Sequence, residues 1–455
     1  MPTNPDRELL KNLFNSFKPD TPLEPGDPRY VEFQEVRGDE DIRTELGGYI
    51  INDESNTYQL YSGHRGSGKS TELKRLAKYL EDEGFIVVYF AAATDDAGDL
   101  SFQDTQYQDI LLSCTRQLLE KLRDVDDKPL REWLKKRWQK LIDLALTEVK
   151  LEKLTLDAAI PMFSKITAAV RTEPSKREEI RKLVEADTES LVQALNEFIE
   201  SARRQGDRAA NKIVVIADNL DRIVPTYPEG ESSNLEDIFI NRSELMRSLR
   251  CHMVYTAPIS LLYSKSASDL QDIYGKPQIL PMVMVQERDS EDLVPDGMKL
   301  LREAVRRRVA KVCDRDLVPE VFESDRVLDL LCFSCGGHLR DLMHVARNAV
   351  NLAVELPIKE KQVKRAIANF RPAYLAALNE EEWPLLLEVH GAKRKPNDAE
   401  GKYRDLLAKR CILEYRFFDE DEEELATWYD VHPLIRGSKL FRERWALHQE
   451  KGNEG

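Results

Sequence analysis

Nine consecutive residues hold the most specific chemistry in this chain. Gly63-His64-Arg65-Gly66-Ser67-Gly68-Lys69-Ser70-Thr71 fits the spacing G-x-x-x-x-G-K-[ST]. Glycines let such a loop wrap a phosphate, so that successive backbone N–H groups point inward. A helix starting near Gly68 adds the partial positive charge of its N-terminus. Lys69 reaches the β- and γ-phosphates of a nucleotide, and Ser70 offers a hydroxyl to Mg²⁺. The spacing therefore predicts that residues 63–71 cradle ATP or ADP with Mg²⁺.

A second constellation is Ile213-Val-Val-Ile-Ala-Asp218-Asn219-Leu220-Asp221-Arg222. An apolar strand ending in aspartate sets a carboxylate at the C-terminal edge of a sheet, where parallel α/β proteins bind ligands. Asp218 is expected to hold Mg²⁺ through water, opposite Ser70. Asn219 follows it, and an amide cannot serve as a base. Asp221 is the nearest carboxylate that can orient an attacking water; otherwise it is salt-bridged to a basic neighbour. Slow hydrolysis is the expectation. Met253-Val-Tyr-Thr256 ends in a polar residue, which either simply closes the strand or hydrogen-bonds the γ-phosphate or the lytic water. Gly336-Gly337-His338-Leu339-Arg340-Asp341 opens a helix whose first turn carries Arg340. That guanidinium either lies on the helix surface or reaches back to the phosphates, whose geometry its fork matches. Lys69, Asp218, Asp221, Thr256 and Arg340 form the candidate catalytic set. Cys332 and Cys335 lack the second ligand pair that structural zinc needs, so they are expected to pack as small apolar residues.

These side chains need a frame. Tyr58–Tyr61 is strand-like and leads into the loop, and Leu73, Leu76, Ala77 and Leu80 mark a helix after it. Apolar runs at 85–91, 212–217, 253–256 and 279–285 alternate with long helical patterns. Such alternation predicts a parallel α/β sheet. Residues 1–28 hold six prolines and read as a flexible arm. A core over 29–290 follows, with an inserted helical stretch at about 125–210. Residues 291–375 read as an all-α lid. The order helix, helix, hairpin over 376–450 predicts a winged helix-turn-helix.

Composition narrows the classes. The chain has 455 residues, 42% hydrophobic and 33% charged, which is globular composition. No apolar run approaches the roughly 18 residues of a membrane span, and the N-terminus has no apolar leader pattern, so no membrane partner is expected. Six scattered cysteines suit a reduced, cytoplasmic setting. A formal net charge of −15 gives no general pull toward DNA. Lys393, Arg394, Lys395, Lys402, Arg404, Lys409 and Arg410 stand where a recognition helix would use them. Against that, residues 375–455 hold 18 acidic and 13 basic residues, with six carboxylates at 419–424. The basic run Arg306-Arg307-Arg308 reads as a solvated helix face.

Taken together and in this order, the glycine loop, Val-Val-Ile-Ala-Asp-Asn-Leu-Asp-Arg, Tyr-Thr-Ala-Pro and Gly-Gly-His-Leu-Arg-Asp-Leu resemble the STAND and KAP-like P-loop ATPases. They also resemble the initiator branch of the AAA+ ATPases, and the similarity covers about residues 30–435. Many AAA+ proteins place Glu where Asn219 stands, and an arginine finger where Ala257–Ile279 has no Arg. The pattern Asp218-x-Leu220-Asp221-Arg222 and the missing finger favour STAND/KAP over AAA+. The resemblance implies that Val36 and Arg37 lie near the adenine. It also implies a nucleotide-dependent switch, closed with ADP and open, often oligomeric, with ATP. Many prokaryotic relatives act in regulation or defence. The expected partner is another protein or a second copy of the chain. The alternatives are an initiator-like ATPase that binds DNA through its winged helix, and a nucleotide-binding scaffold without turnover.

Overall fold

The computed structural model describes residues 6–92, 98–123, 125, 128, 130, 132–133, 136, 156–205, 212–227, 232–395, 401–419 and 423–453. The chain forms two compact units, each discontinuous in sequence. One is Ile42–Ser62 with Glu72–Gln278; the other is Met1–Asp41 with Gly63–Thr71 and Ile279–Gly455.

The first unit is built on a sheet. Its strands are β1 (Tyr58–Gly63), β2 (Ile86–Ala91), β3 (Ile213–Asp218), β4 (His252–Thr256) and β5 (Gln278–Leu280), in the order β2-β3-β4-β1-β5. This is the parallel α/β sheet that the alternating runs predict. β1 pairs parallel with β4, β4 with β3, and β3 with β2, so their C-terminal ends share one edge. β3 is buried along its whole length, as an unbroken apolar run between two covered faces must be. Asp218 and Thr256 close β3 and β4 on that edge, while β1 leads into the glycine loop. The chain leaves β1 toward β2, returns through β3 and β4, then crosses to β5. The order thus reverses at β1, which is where such sheets bind ligands. The last strand is shorter than the predicted 279–285. Pro281 has no N–H for a ladder and ends it.

Helices cover the sheet. Lys69–Asp82 fully buries Leu73, Leu76 and Leu80 at helical spacing. Tyr107–Lys121 packs against Leu156–Thr172, which is followed by Pro174–Ala186 and Thr188–Gln205. Buried charges among them are paired. Arg181 meets Asp109 at 2.5 Å and Asp104 at 3.1 Å, and Arg177 meets Asp104 at 3.0 Å. The stretch expected to be an inserted helical region is helical over 156–205. Pro161 lies inside its first helix rather than breaking it. Most of 125–155, and 206–211, fall outside the described residues.

The second unit is largely helical, with Pro295–Ala310, Asp325–Ser334, Leu339–Leu352 and Glu360–Ala376 in succession. Trp383–Ala392 and Lys402–Ala408 come next, then the antiparallel hairpin β6 (Ile412–Asp419) and β7 (Glu424–Val431), and finally Lys439–Asn453. Tyr415 and Trp428 stack at 4.4 Å across the hairpin and join Met282 and Leu413 in one buried cluster. The extended piece after Pro281 therefore serves this unit: Met282 N–H donates to the Glu414 carbonyl and Met284 N–H to the Val36 carbonyl.

Within the expected arm 1–28, Asp6–Ser16 is a packed helix rather than a flexible segment. Leu10, Leu13 and Phe17 repeat at helical spacing and are buried, while Arg347 sits 4.0 Å from the Phe14 ring. The helix packs on Leu339–Leu352 and Pro295–Ala310. No proline falls within Asp6–Ser16, so nothing there interrupts the helix.

Candidate nucleotide-binding site

The loop begins where β1 ends and finishes in the first turn of Lys69–Asp82. Gly66 has φ +95°, a conformation closed to other residue types. A Cβ there would come within 2.8 Å of the Arg340 Cβ and the His338 ring. Lys69 is buried, and its ammonium donates to the carbonyls of Gly63 at 2.9 Å and His64 at 3.0 Å. The amine is thus folded over the concave side of the loop. Ser67 N–H donates to the His64 carbonyl, and the buried Ser67 hydroxyl has no hydrogen-bond partner among the described residues. Thr71 accepts a hydrogen bond from Leu23 N–H at 3.1 Å, and Ser70 is half-buried on the first helical turn. A glycine-wrapped loop, a helix N-terminus, a folded-in lysine and an unsatisfied buried hydroxyl together fit an anionic phosphate group.

Other segments of the same unit grip this loop. Arg37 is buried and donates to the Ser67 carbonyl at 2.8 Å, with its guanidinium 5.2 Å from the Phe33 ring. Val36, beside it, is also buried. His338 Nε2 lies 2.7 Å from the Arg65 carbonyl, and Arg340 N–H donates to the Gly66 carbonyl at 3.2 Å. The Arg340 side chain lies 3.5 Å from Asp20. Gly337 makes this approach feasible: it has φ +78°, and a Cβ there would overlap the Val283 carbonyl. His64 accepts a hydrogen bond from Glu414 N–H of β6 at 3.2 Å. Burial, with His338 and Lys69 nearby, pushes the His64 imidazole well below its ordinary range, so it is neutral. Arg65 is exposed. Arg37 and Arg340, which the sequence offers as site residues, are thus brought to the loop. His338 and the hairpin contact were not foreseen. The signal available was a histidine in each of the two glycine motifs.

The sheet unit carries the other candidates. Asp218 is buried at the end of β3; one oxygen accepts from the Tyr89 hydroxyl at 2.8 Å and the other from Asn219 N–H at 2.7 Å. Asn219 adopts φ +66°, which asparagine tolerates better than glutamate does. Asp221 is buried in the short turn Leu220–Arg222 that follows. Thr256 is fully buried, and its hydroxyl accepts from Leu220 N–H at 2.8 Å. It therefore braces the turn behind Asp218. Tyr89, which orients the Asp218 carboxylate, was not foreseen, since only strand pairing sets β2 beside β3.

The remaining sequence features have plainer roles. Cys332 and Cys335 are buried, and Cys335 donates to the Cys332 carbonyl. Arg306 and Arg307 both pair with Glu303 at 2.6 Å and hold its carboxyl down to about 2. Among the basic residues offered for DNA, Lys393 pairs with Asp430 at 2.8 Å, Lys409 with Glu382 at 2.5 Å and Arg410 with Asp341 at 3.6 Å. Residues 420–422 of the acidic turn lie outside the described residues.

Sheet order and loop geometry define a class: this is a P-loop NTPase, a nucleotide-binding fold. Within that class, residues 60–226 match the KAP family P-loop domain. Among solved structures, it is similar to the Aeropyrum pernix ORC2 protein in ADPNP–ADP complexes, at 14% identity over 90% of this chain and 92% of that chain, with TM-score 0.39. The ORC1 protein of the same organism, solved in complex with DNA, gives 12% identity, 95% and 97% coverage, and TM-score 0.40. Cdc6p from Pyrobaculum aerophilum gives 12%, 95% and 98%, and 0.39. No curated protein matches the chain.

Proposed function

We propose that the chain is an ATP-binding molecular switch with slow Mg²⁺-dependent hydrolysis. It couples nucleotide state to a protein partner or to self-association, in the cytoplasm, in prokaryotic regulation or defence. The observation that supports this reading most is the company the loop keeps. Arg37, His338, Arg340 and β6 all hold Gly63–Thr71 within one compact unit. Phosphates drawn to the loop would compete with the Gly63 and His64 carbonyls for the Lys69 ammonium. A ligand shifts a conformational equilibrium only through such differential contacts.

In this reading Lys69 and the loop backbone bind the phosphates, and Ser70 and Asp218 hold Mg²⁺. Bound Mg²⁺ neutralises charge on the phosphate oxygens. Asp221 orients water, Arg340 senses the γ-phosphate, and Val36 and Arg37 flank the adenine. Thr256 contributes by holding the Asp218 turn. Residues 291–375 act as a lid, and 376–450 as a winged helix used for interaction.

Steady-state ATP hydrolysis by the purified chain, with and without duplex DNA at fixed salt, tests this. A low rate indifferent to DNA supports the switch. Turnover near 10² per second would contradict slow hydrolysis, and stimulation by DNA would favour the initiator-like alternative. Lys69→Ala should abolish ATP binding; unaltered binding sinks the assignment of the loop.

A further inference from the structure

A buried carboxylate joins the loop to the far end of the same unit. Asp341, on the first turn of Leu339–Leu352, is 2.9 Å from His338 Nδ1 and 3.1 Å from His432 Nε2. The Tyr374 hydroxyl donates to it, and Arg410 lies 3.6 Å away. All these partners belong to the second unit, and His338 and His432 are fully buried. His338 Nε2 faces the Arg65 carbonyl, while its Nδ1 faces Asp341, whose carboxylate lies at 2.9 Å and whose backbone N–H donates to it at 3.3 Å. His432 directly follows β7, takes a hydrogen bond from Leu434 N–H on Nδ1 and packs 4.5 Å from the Tyr374 ring. Burial alone would raise the Asp341 carboxyl, but the two histidines hold it well below the usual range, so it is ionised. A buried charge of this kind is stable only while its partners stay in place.

We propose that His338 is a positioning residue for the phosphate-binding loop, and that Asp341 couples the loop to the hairpin module through His432 and Tyr374. The coupling is physical: four groups share one carboxylate, and removal of any of them re-aims the rest. His432 lies within the C-terminal module, yet through Asp341 it bears on the carbonyl between His64 and Gly66. This rests on the nucleotide-switch reading for its purpose, though the contacts themselves do not.

Paired substitutions separate positioning from mere support. His432→Asn keeps an acceptor for Leu434 N–H but loses the donor to Asp341; His432→Gln keeps a donor of similar reach. His338→Asn and His338→Gln divide the roles in the same way. Hydrogen–deuterium exchange of the nucleotide-free chain is the first readout. His338→Asn should speed exchange of residues 63–71 at least severalfold, and His432→Asn should do so too, with the Gln variants near the native rate. Tyr374→Phe, which removes a single hydroxyl, repeats the test with the least risk to folding. Unchanged exchange at 63–71 in His432→Asn and Tyr374→Phe would overturn the coupling, and equal effects of Asn and Gln at 338 would overturn the positioning role. ATP affinity is the second readout: roughly tenfold weaker for His338→Asn, within about threefold for His338→Gln. If the native chain binds no nucleotide, the switch reading fails while the exchange result still decides the coupling.

Discussion

Gly66 shows how tightly a single residue is specified. Its backbone lies in the left-handed region, and Arg340 and His338 occupy the space a side chain would need. Gly66→Ala should therefore weaken nucleotide binding tenfold or more, measured by calorimetry, with little loss of helix content. Asp218 is held on both oxygens, by Tyr89 and by its own following amide, so groups of the chain itself set its orientation. Asp218→Ala should abolish Mg²⁺-dependent hydrolysis while leaving the fold. Asp221→Asn discriminates between two roles: a drop of tenfold or more in turnover supports water orientation, whereas full turnover would remove Asp221 from the catalytic set. Asn219, at φ +66°, is used for backbone geometry.

At the scale of elements, β4 carries two buried polar groups with different consequences. The Thr256 hydroxyl satisfies Leu220 N–H. Thr256→Val strands that buried donor and should cost about 1–3 kcal/mol, while Thr256→Ser should stay near native; thermal melts of the two variants test this. Turnover should fall with Thr256→Val, since the braced turn carries Asp218. At the other end of β4, His252 accepts from Thr57 N–H. Burial, then the neighbouring Lys212 and Arg203, pushes its imidazole down to about 4, so the folded state keeps it neutral where the unfolded chain protonates near 6.5. The unfolded state binds more protons in that window, so stability is complete above pH 6.5 and is lost as pH falls toward 4. His252→Gln should flatten the melting midpoint between pH 7 and 5; an unchanged slope would assign the acid sensitivity elsewhere.

At the scale of the whole molecule, charge argues against general attraction to DNA. Net charge is −15, and Lys393, Lys409 and Arg410 are each close to a carboxylate. Affinity for duplex DNA should be weak at 150 mM salt, with a slope of log affinity against log salt near zero. A slope of several units would show that several phosphates are neutralised and restore the DNA-loading alternative. Among the described residues, no helix is long and apolar enough to cross a membrane.

Much of this protein is legible in its sequence. The glycine loop, the strand ending in Asp218 and the Gly336-Gly337 helix start are local patterns, in which chemistry and backbone demands fall on neighbouring residues. The parallel sheet follows from apolar runs alternating with helical periods, which burial of both faces imposes. The N-terminal helix was hidden because its flanking prolines dominate the local signal, while its buried face is defined by helices some 300 residues away. The hairpin contacts were set by packing around Met282 and Tyr415. Only tertiary structure could show that Tyr89 holds Asp218, that the loop belongs with the helical unit, and that Asp341 gathers His338, His432 and Tyr374. Each depends on groups that are distant in sequence and meet only when burial makes an unpaired charge or donor costly.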